Sequence, residues 1–209
     1  VFLGDAGVAE RRVDDRAGRA IGKAQQDRHG VLVTARADGV RLDRQAAGKE
    51  DQRVDEMTGL ADDAATARLG LDSSSRVVEI ASNDGYLLQW FVAKGIPVLG
   101  IEPAANIAVL AEAKGIPSRV EFFEAAVGRQ VREDVGPADL MIANNVLAHV
   151  HELHDFVGGF RELLAPTGRV TFEFPHLLRL VEHAEFDTIY HEHFSYFSFT
   201  TAERALARH

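Results

Sequence analysis

From residue 76 onward, short apolar runs alternate with longer stretches of helical periodicity. Arg76-Val77-Val78-Glu79-Ile80-Ala81 is a β-branched run that leads into a turn at Ser82-Asn83-Asp84-Gly85, and Tyr86 to Lys94 then reads as a helix closed by Gly95. Pro97-Val98-Leu99-Gly100-Ile101-Glu102 predicts a second strand, and Ala104 to Lys114 a second helix stopped by Gly115. Val120-Glu121-Phe122-Phe123 predicts a brief third strand and Ala138 to Asn144 a fourth. His151 to Leu164 places Leu153, Phe156, Val157, Phe160 and Leu164 on one helical face and is ended by Pro166-Thr167-Gly168, after which Gly168 to Phe174 supplies a fifth strand. Strands alternating with helices in this way predict a doubly wound α/β domain, with a mostly parallel sheet covered on both faces.

The first part of the chain lacks this order. After Phe2 no aromatic residue occurs until Tyr86, so the material for a packed core lies in the second part. Residues 1–55 scatter charges of both signs on no consistent face and read as an irregular arm by the compositional logic of disorder. Within it, Gly30 to Ala35 is a short strand candidate. Residues 56–74 form a helical lead-in, and the domain proper runs from 75 to 209.

Charge and composition narrow the function classes. A formal net charge of -9 over 209 residues argues against a nucleic-acid partner, which would need a basic face. No apolar run approaches the roughly 20 residues needed to span a bilayer, and the first residues lack the basic-then-apolar order of a signal peptide, so a cytoplasmic protein is the default expectation. The absence of cysteine removes disulfides and cysteine-ligated zinc.

In doubly wound sheets ligands bind beyond the carboxyl ends of the strands, so the residues there carry the chemistry. The first turn has Gly85 but no Gly-x-Gly-x-x-Gly series for a nicotinamide dinucleotide, and it carries Glu79 and Asp84. Two carboxylates oppose a pyrophosphate and suit a positive sulfonium, so a methyl donor fits better than a dinucleotide. Glu102, at the end of the second strand, stands where a carboxylate accepts both hydroxyls of a ribose, or else caps the helix that follows; Pro103 then turns the chain away. Phe122 and Phe123 are candidates to flank an adenine ring, and equally candidates for the core. Asn145 and His149 follow the fourth strand, where substrate and transferred group are expected. The spacing of His149, His151, His154, His191 and His193 matches none of the familiar zinc signatures, and no metal is expected.

Five segments carry a family resemblance: Val78 to Leu88, Gly100-Ile101-Glu102-Pro103, Ala143-Asn144-Asn145-Val146-Leu147-Ala148-His149-Val150, Phe172-Glu173-Phe174-Pro175-His176 and Tyr190-His191-Glu192-His193-Phe194-Ser195-Tyr196-Phe197. Together they resemble the class I S-adenosylmethionine-dependent sugar C-methyltransferases of deoxysugar biosynthesis. The resemblance implies a Rossmann-like fold and methyl transfer from S-adenosylmethionine to carbon 3 of a nucleotide-linked 4-keto-6-deoxysugar. It points to His193 as the base that removes the proton next to the ketone, with Glu192 orienting it or sharing the proton and Tyr190 hydrogen-bonding nearby. It implies a cofactor site at Glu79, Ser82, Asn83, Gly85, Glu102, Pro103, Phe123, Asn144 and Asn145, and substrate contacts at His149 and His176.

The family's cysteine-built zinc region and its C-terminal region have no counterpart in these residues, so the chain reads as an incomplete copy that lacks the last strands of the sheet. One edge of the fifth strand is then expected to lie unpaired. Two alternatives remain open: a remnant that no longer turns over, and a nicotinamide oxidoreductase or other small-molecule methyltransferase.

Overall fold

The structure, a computed structural model, describes residues 30–36, 45–46, 63 and 65–209. Its sheet is built from β1 (Gly30–Arg36), β2 (Gln45–Ala46), β3 (Val77–Ile80), β4 (Val98–Ile101), β5 (Ser118–Arg119), β6 (Ala138–Asn144) and β7 (Leu164–Pro175), in the order β2-β1-β7-β6-β3-β4-β5. The pairings β5-β4, β4-β3, β3-β6 and β6-β7 are all parallel. The helices are α1 (Leu88–Ala93), α2 (Ala105–Glu112), α3 (Ala125–Val135), α4 (Leu153–Leu163), α5 (Leu177–Glu182) and α6 (Phe199–Leu206).

The central strands are apolar at consecutive positions because both faces are covered. In β3, Val77 joins a core with Leu88 and Phe91 of α1, whereas Val78 and Ile80 join the opposite core with Val131 of α3 and Phe156 and Phe160 of α4. β6 divides the same way, Leu140 and Ile142 toward α1 and Met141 and Ala143 toward α3 and α4. The helix α4 buries Phe156, Val157 and Phe160 as the sequence predicts and Leu163 besides, while Leu153 is partly buried and Leu164 begins the next strand. Against α4, α3 packs through glycine: a Cβ on Gly128 would lie 2.5 Å from the Gly159 carbonyl oxygen.

Three expectations change. The third strand lies at Ser118–Arg119, upstream of the predicted Val120–Phe123, because it is Gly100 and Ile101 that find these two residues in register. Val120 and Phe122 are exposed and Phe123 turns into the core. Pro166-Thr167-Gly168 does not separate helix from strand but bulges within β7, where Leu164 pairs with Ala138 and Arg169 with Leu140. Finally, the outer edge of β7 is not open. Residues Gly30–Arg36 run antiparallel along it, from Gly30 opposite Pro175 to Arg36 opposite Arg169, and β2 pairs beyond. Where it is described, the arm therefore adds two strands to the sheet. The lead-in is helical at 63 and 65–69, and the rest of 1–64 lies outside the described residues. Among the described residues, no helix is long and apolar enough to cross a membrane.

Candidate active site

The turn after β3 is strained and held from both sides. Ala81, Asn83 and Gly85 all take positive φ, at 59°, 53° and 73°. Such backbone persists at non-glycine residues only where the surroundings fix it, and it concentrates at ligand sites. Here Glu102 supplies the fixing. Its Oε2 accepts the Asn83 N–H at 3.0 Å and its Oε1 accepts the Ala104 N–H at 2.8 Å, tying the turn to the start of α2. Asn83 Nδ2 also donates to the Ala81 carbonyl at 3.0 Å. Two carboxylate oxygens have about four lone-pair sites, so Glu102 keeps acceptor capacity for a diol beside its two backbone bonds. A Cβ on Gly85 would strike Ile116, and one on Gly100 would strike Ser82, so β4 and the turn meet at backbone distance.

Three carboxylates gather in this corner. Glu79 is 1% exposed, and burial pushes its pKa well above the ordinary carboxylate range, with Glu102 and Asp84 adding to the rise. Burial also raises Glu102, while the Ala104 and Asn83 N–H groups pull it back. Asp84 Oδ2 receives Lys114 Nζ at 3.0 Å. Buried oxygens without a hydrogen-bond partner remain at Glu79 Oε2, Ser82 Oγ and, on the neighbouring strand β6, Asn144 Oδ1. Such groups can take a hydrogen bond from a water or a ligand. Pro103 is half-buried at the rim.

At the end of β6, Asn145 also takes positive φ, 54°. Its N–H donates to the Glu173 carbonyl at 2.7 Å and its Nδ2 to Glu173 Oε1 at 3.4 Å. Burial raises the Glu173 pKa, and sequence reasoning gave this residue no role although it lies in one of the five segments. The structure places Phe123 within the core, edge-on to Phe160 at 4.9 Å and to Phe156 at 5.8 Å. Phe122, 68% exposed, is the aromatic that faces outward.

The histidines assemble beyond β6 and β7. His149 closes a 3-10 turn at Leu147–His149 and is buried, with Nδ1 3.0 Å from the Glu192 carbonyl oxygen. A carbonyl only accepts, so Nδ1 carries the proton and Nε2 is the basic nitrogen of a neutral ring. Burial and then the neighbouring His193 lower the His149 pKa to about 4, against a smaller rise from the Glu192 carbonyl. The two imidazoles lie edge to face at 4.7 Å. In His193, Nδ1 is 2.8 Å from the Thr188 carbonyl oxygen and Nε2 is 2.9 Å from the Tyr190 hydroxyl. The same reasoning puts the proton on Nδ1 and makes Nε2 the acceptor of the Tyr190 O–H. Tyr196 donates to the same Thr188 carbonyl at 3.1 Å. A small cavity opens here, lined by Ala148, Phe174, Thr188, His193, Ser195 and Tyr196 among others.

The structure thus brings together His149, Tyr190, Glu192 and His193, and adds Thr188 and Tyr196, which the sequence left without roles. The acceptor at His193 Nδ1 is a main-chain carbonyl, which no residue pattern announces. Glu192 is buried, with Oε1 3.6 Å from His191 Nε2. His176 stands at the start of α5, and its Nε2 accepts the Phe199 N–H at 3.1 Å, so it joins the first turn of α6 to the end of β7. Among the described residues, no three or more His, Cys, Asp or Glu side chains are grouped to hold a metal ion.

A doubly wound sheet with a strained, acidic first turn, a carboxylate ending the next strand and the buried imidazoles of His149 and His193 beyond β6 and β7 has the architecture of a Rossmann-like enzyme domain. Residues 53–209 match the methyltransferase domain family, and the chain belongs to it. That sets it apart from the nicotinamide oxidoreductases. The chain is similar to C-methyltransferase NovU of Streptomyces niveus, 39% identical over 136 residues, which are 65% of this chain and 32% of that protein. It therefore spans about a third of the length of the curated relative it matches. Among solved structures it resembles a SAM-dependent methyltransferase from Archaeoglobus fulgidus, with a TM-score of 0.56, 14% identity, and coverage of 71% of this chain and 66% of that one. A chain of the complex between the Haloferax volcanii Trm112 methyltransferase activator and a methyltransferase gives a TM-score of 0.52 at 14% identity, covering 75% and 76%. At such identities these likenesses show the fold. S-adenosylmethionine is the methyl donor of such domains, and the orphaned oxygens of Glu79, Ser82 and Asn144 around an acidic turn fit a ligand with cationic and hydrogen-bonding groups.

Proposed function

We propose that this chain is the core of a C-methyltransferase that methylates a carbon next to a ketone, carbon 3 of a nucleotide-linked 4-keto-6-deoxysugar. The observation that carries the reading is His193, whose basic Nε2 is presented beside Tyr190 while its Nδ1–H is fixed by the Thr188 carbonyl. Carbon acids next to a ketone need a positioned base of ordinary strength, and a neutral imidazole meets that need near pH 7. S-adenosylmethionine, when bound, supplies an electrophilic methyl group.

The residues divide the work as follows. Glu102, Asn83 and Gly85 shape the turn that receives the nucleoside end of the donor, with Ser82, Glu79 and Pro103 around it. Asn144 and Asn145 face the crevice from β6. Of the two phenylalanines, exposed Phe122 rather than buried Phe123 suits an adenine face. His193 Nε2 takes the proton from the substrate carbon as Tyr190 O–H shifts from that nitrogen to the developing enolate oxygen. The imidazolium is then stabilised through Nδ1–H to Thr188. His149 stays neutral beside it, so it adds no like charge, and its Nε2 accepts a hydrogen bond from a sugar hydroxyl. His176 acts from outside, by holding α6 against the end of β7. The relationship to NovU supports carbon as the acceptor atom.

The test is to incubate the purified chain with methyl-labelled S-adenosylmethionine and a nucleotide-linked 4-keto-6-deoxysugar in deuterated water, and to follow the sugar by NMR. Label on the carbon beside the ketone, and deuterium exchange there when the demethylated donor replaces the donor, are expected. Label on oxygen or nitrogen, or an unexchanged carbon, contradicts the reading.

A further inference from the structure

We infer that Glu79 gives up its proton when the cationic methyl donor binds, so that donor binding at this site is coupled to pH. The inference rests on the donor reading above and goes beyond it, because it assigns the site a proton stoichiometry. Three carboxylates converge there, and each is held differently. Asp84 is paired with Lys114, which lies just beyond the end of α2, at 3.0 Å. Glu102 satisfies both oxygens with main-chain N–H groups. Glu79 has neither arrangement: it is 1% exposed, and its Oε2 has no hydrogen-bond partner. Its neighbours in register are Gly100 on β4 and Ile142 on β6, which bring no charge. The charged groups that act on it are Glu102 and Asp84, both of its own sign.

An isolated buried carboxylate in that company is costly, so the free protein keeps Glu79 as the acid. A cationic ligand beside it reverses the balance. The O–H bond of the Glu79 carboxyl breaks, its electron pair stays on the carboxylate, and the proton leaves to solvent. The donor is unchanged, and the complex holds an ion pair where the free site held a neutral acid. The acidic turn is thus less negative before binding than its residue count suggests, and it gains its charge as the ligand arrives.

Calorimetric titration of the full chain with S-adenosylmethionine, at one pH in two buffers of different ionisation enthalpy, reads the protons released. The expected result is release approaching one proton per donor, with affinity rising toward tenfold per pH unit while the free protein still holds the proton. In Glu79→Gln, which keeps shape but cannot ionise, that release is lost and any contribution of the donor's own amine remains. Binding heats that agree between buffers in the wild-type chain, or release undiminished in Glu79→Gln, overturn the inference. Folded protein with no saturation curve in either buffer removes the donor reading itself.

Discussion

His193 acts as a base only while Nε2 keeps its lone pair, and the Thr188 carbonyl secures this by holding the proton on Nδ1. Replacing His193 by Ala is expected to lower turnover by roughly 100-fold or more, the usual contribution of a positioned base, while donor affinity changes by less than about twofold. Glu102→Ala has the opposite signature. It releases the N–H groups of Asn83 and Ala104 together, and donor binding should weaken by about tenfold, as for a lost hydrogen bond to a charged group. Titrations of both variants that show equal loss of binding would contradict this division of the site. His149 makes a separate prediction. Its native pKa, lowered to about 4 from an ordinary 6.5, means that the unfolded chain takes up a proton over that interval while the native ring does not. Stability should therefore be fully present above about pH 6.5 and fall as pH drops toward 4, by up to a few kcal/mol. Urea melts across that range should show the decline, and His149→Gln should flatten it. Much of this chemistry was legible in the residues, since Glu102 and the Tyr-His-Glu-His run stand out. The partners were not, because carbonyls such as Thr188 and Glu192 belong to the backbone that every residue carries.

At the scale of elements, the strands read most clearly where both faces are covered. Val77–Ile80 and Ala138–Asn144 are apolar apart from Glu79, Asp139 and Asn144, because each feeds two cores. The third strand misled for a physical reason. Phe122 and Phe123 have strand-like composition, yet pairing is decided by which backbone lies beside Gly100 and Ile101, and that is Ser118–Arg119. The antiparallel seam between β1 and β7 joins residues far apart in the chain and leaves no local mark. Deleting residues 1–46 should speed hydrogen exchange on the outer edge of β7 and leave β3 and β4 amides unchanged. Unaltered exchange along Arg169–Pro175 would contradict the seam. The contact of α3 with α4 is equally specific. A methyl group at Gly128 meets the main-chain oxygen of Gly159, which cannot rotate away, so Gly128→Ala should cost roughly 1–3 kcal/mol and lower the melting temperature. A melting curve equal to that of the wild type would show that the helices have room to part.

The whole molecule carries two kinds of chemistry beyond its strand ends, where doubly wound sheets form their ligand crevice. β3 and β4 carry the carboxylate corner, and β6, β7 and residues 186–196 carry the imidazoles. The alternating pattern of strands and helices was sufficient to place both at the carboxyl ends of the strands, since that follows from topology alone. The closeness of His149 to His193, whose neighbour Glu192 supplies the carbonyl paired with His149 across 43 residues of chain, follows only from the tertiary fold. A ligand that binds the native state alone stabilises it by about 2.7 kcal/mol at 100 times its dissociation constant, so occupancy of the crevice is visible as a shift of the whole unfolding transition. The central claim, that this crevice is a methyl-donor site, is tested most directly by calorimetry of the folded chain with S-adenosylmethionine and S-adenosylhomocysteine, a nicotinamide dinucleotide serving as control. Saturable binding of the two adenosyl ligands, and none of the dinucleotide, is the predicted result. Binding of the dinucleotide in their place, or of no ligand by folded protein, would contradict it.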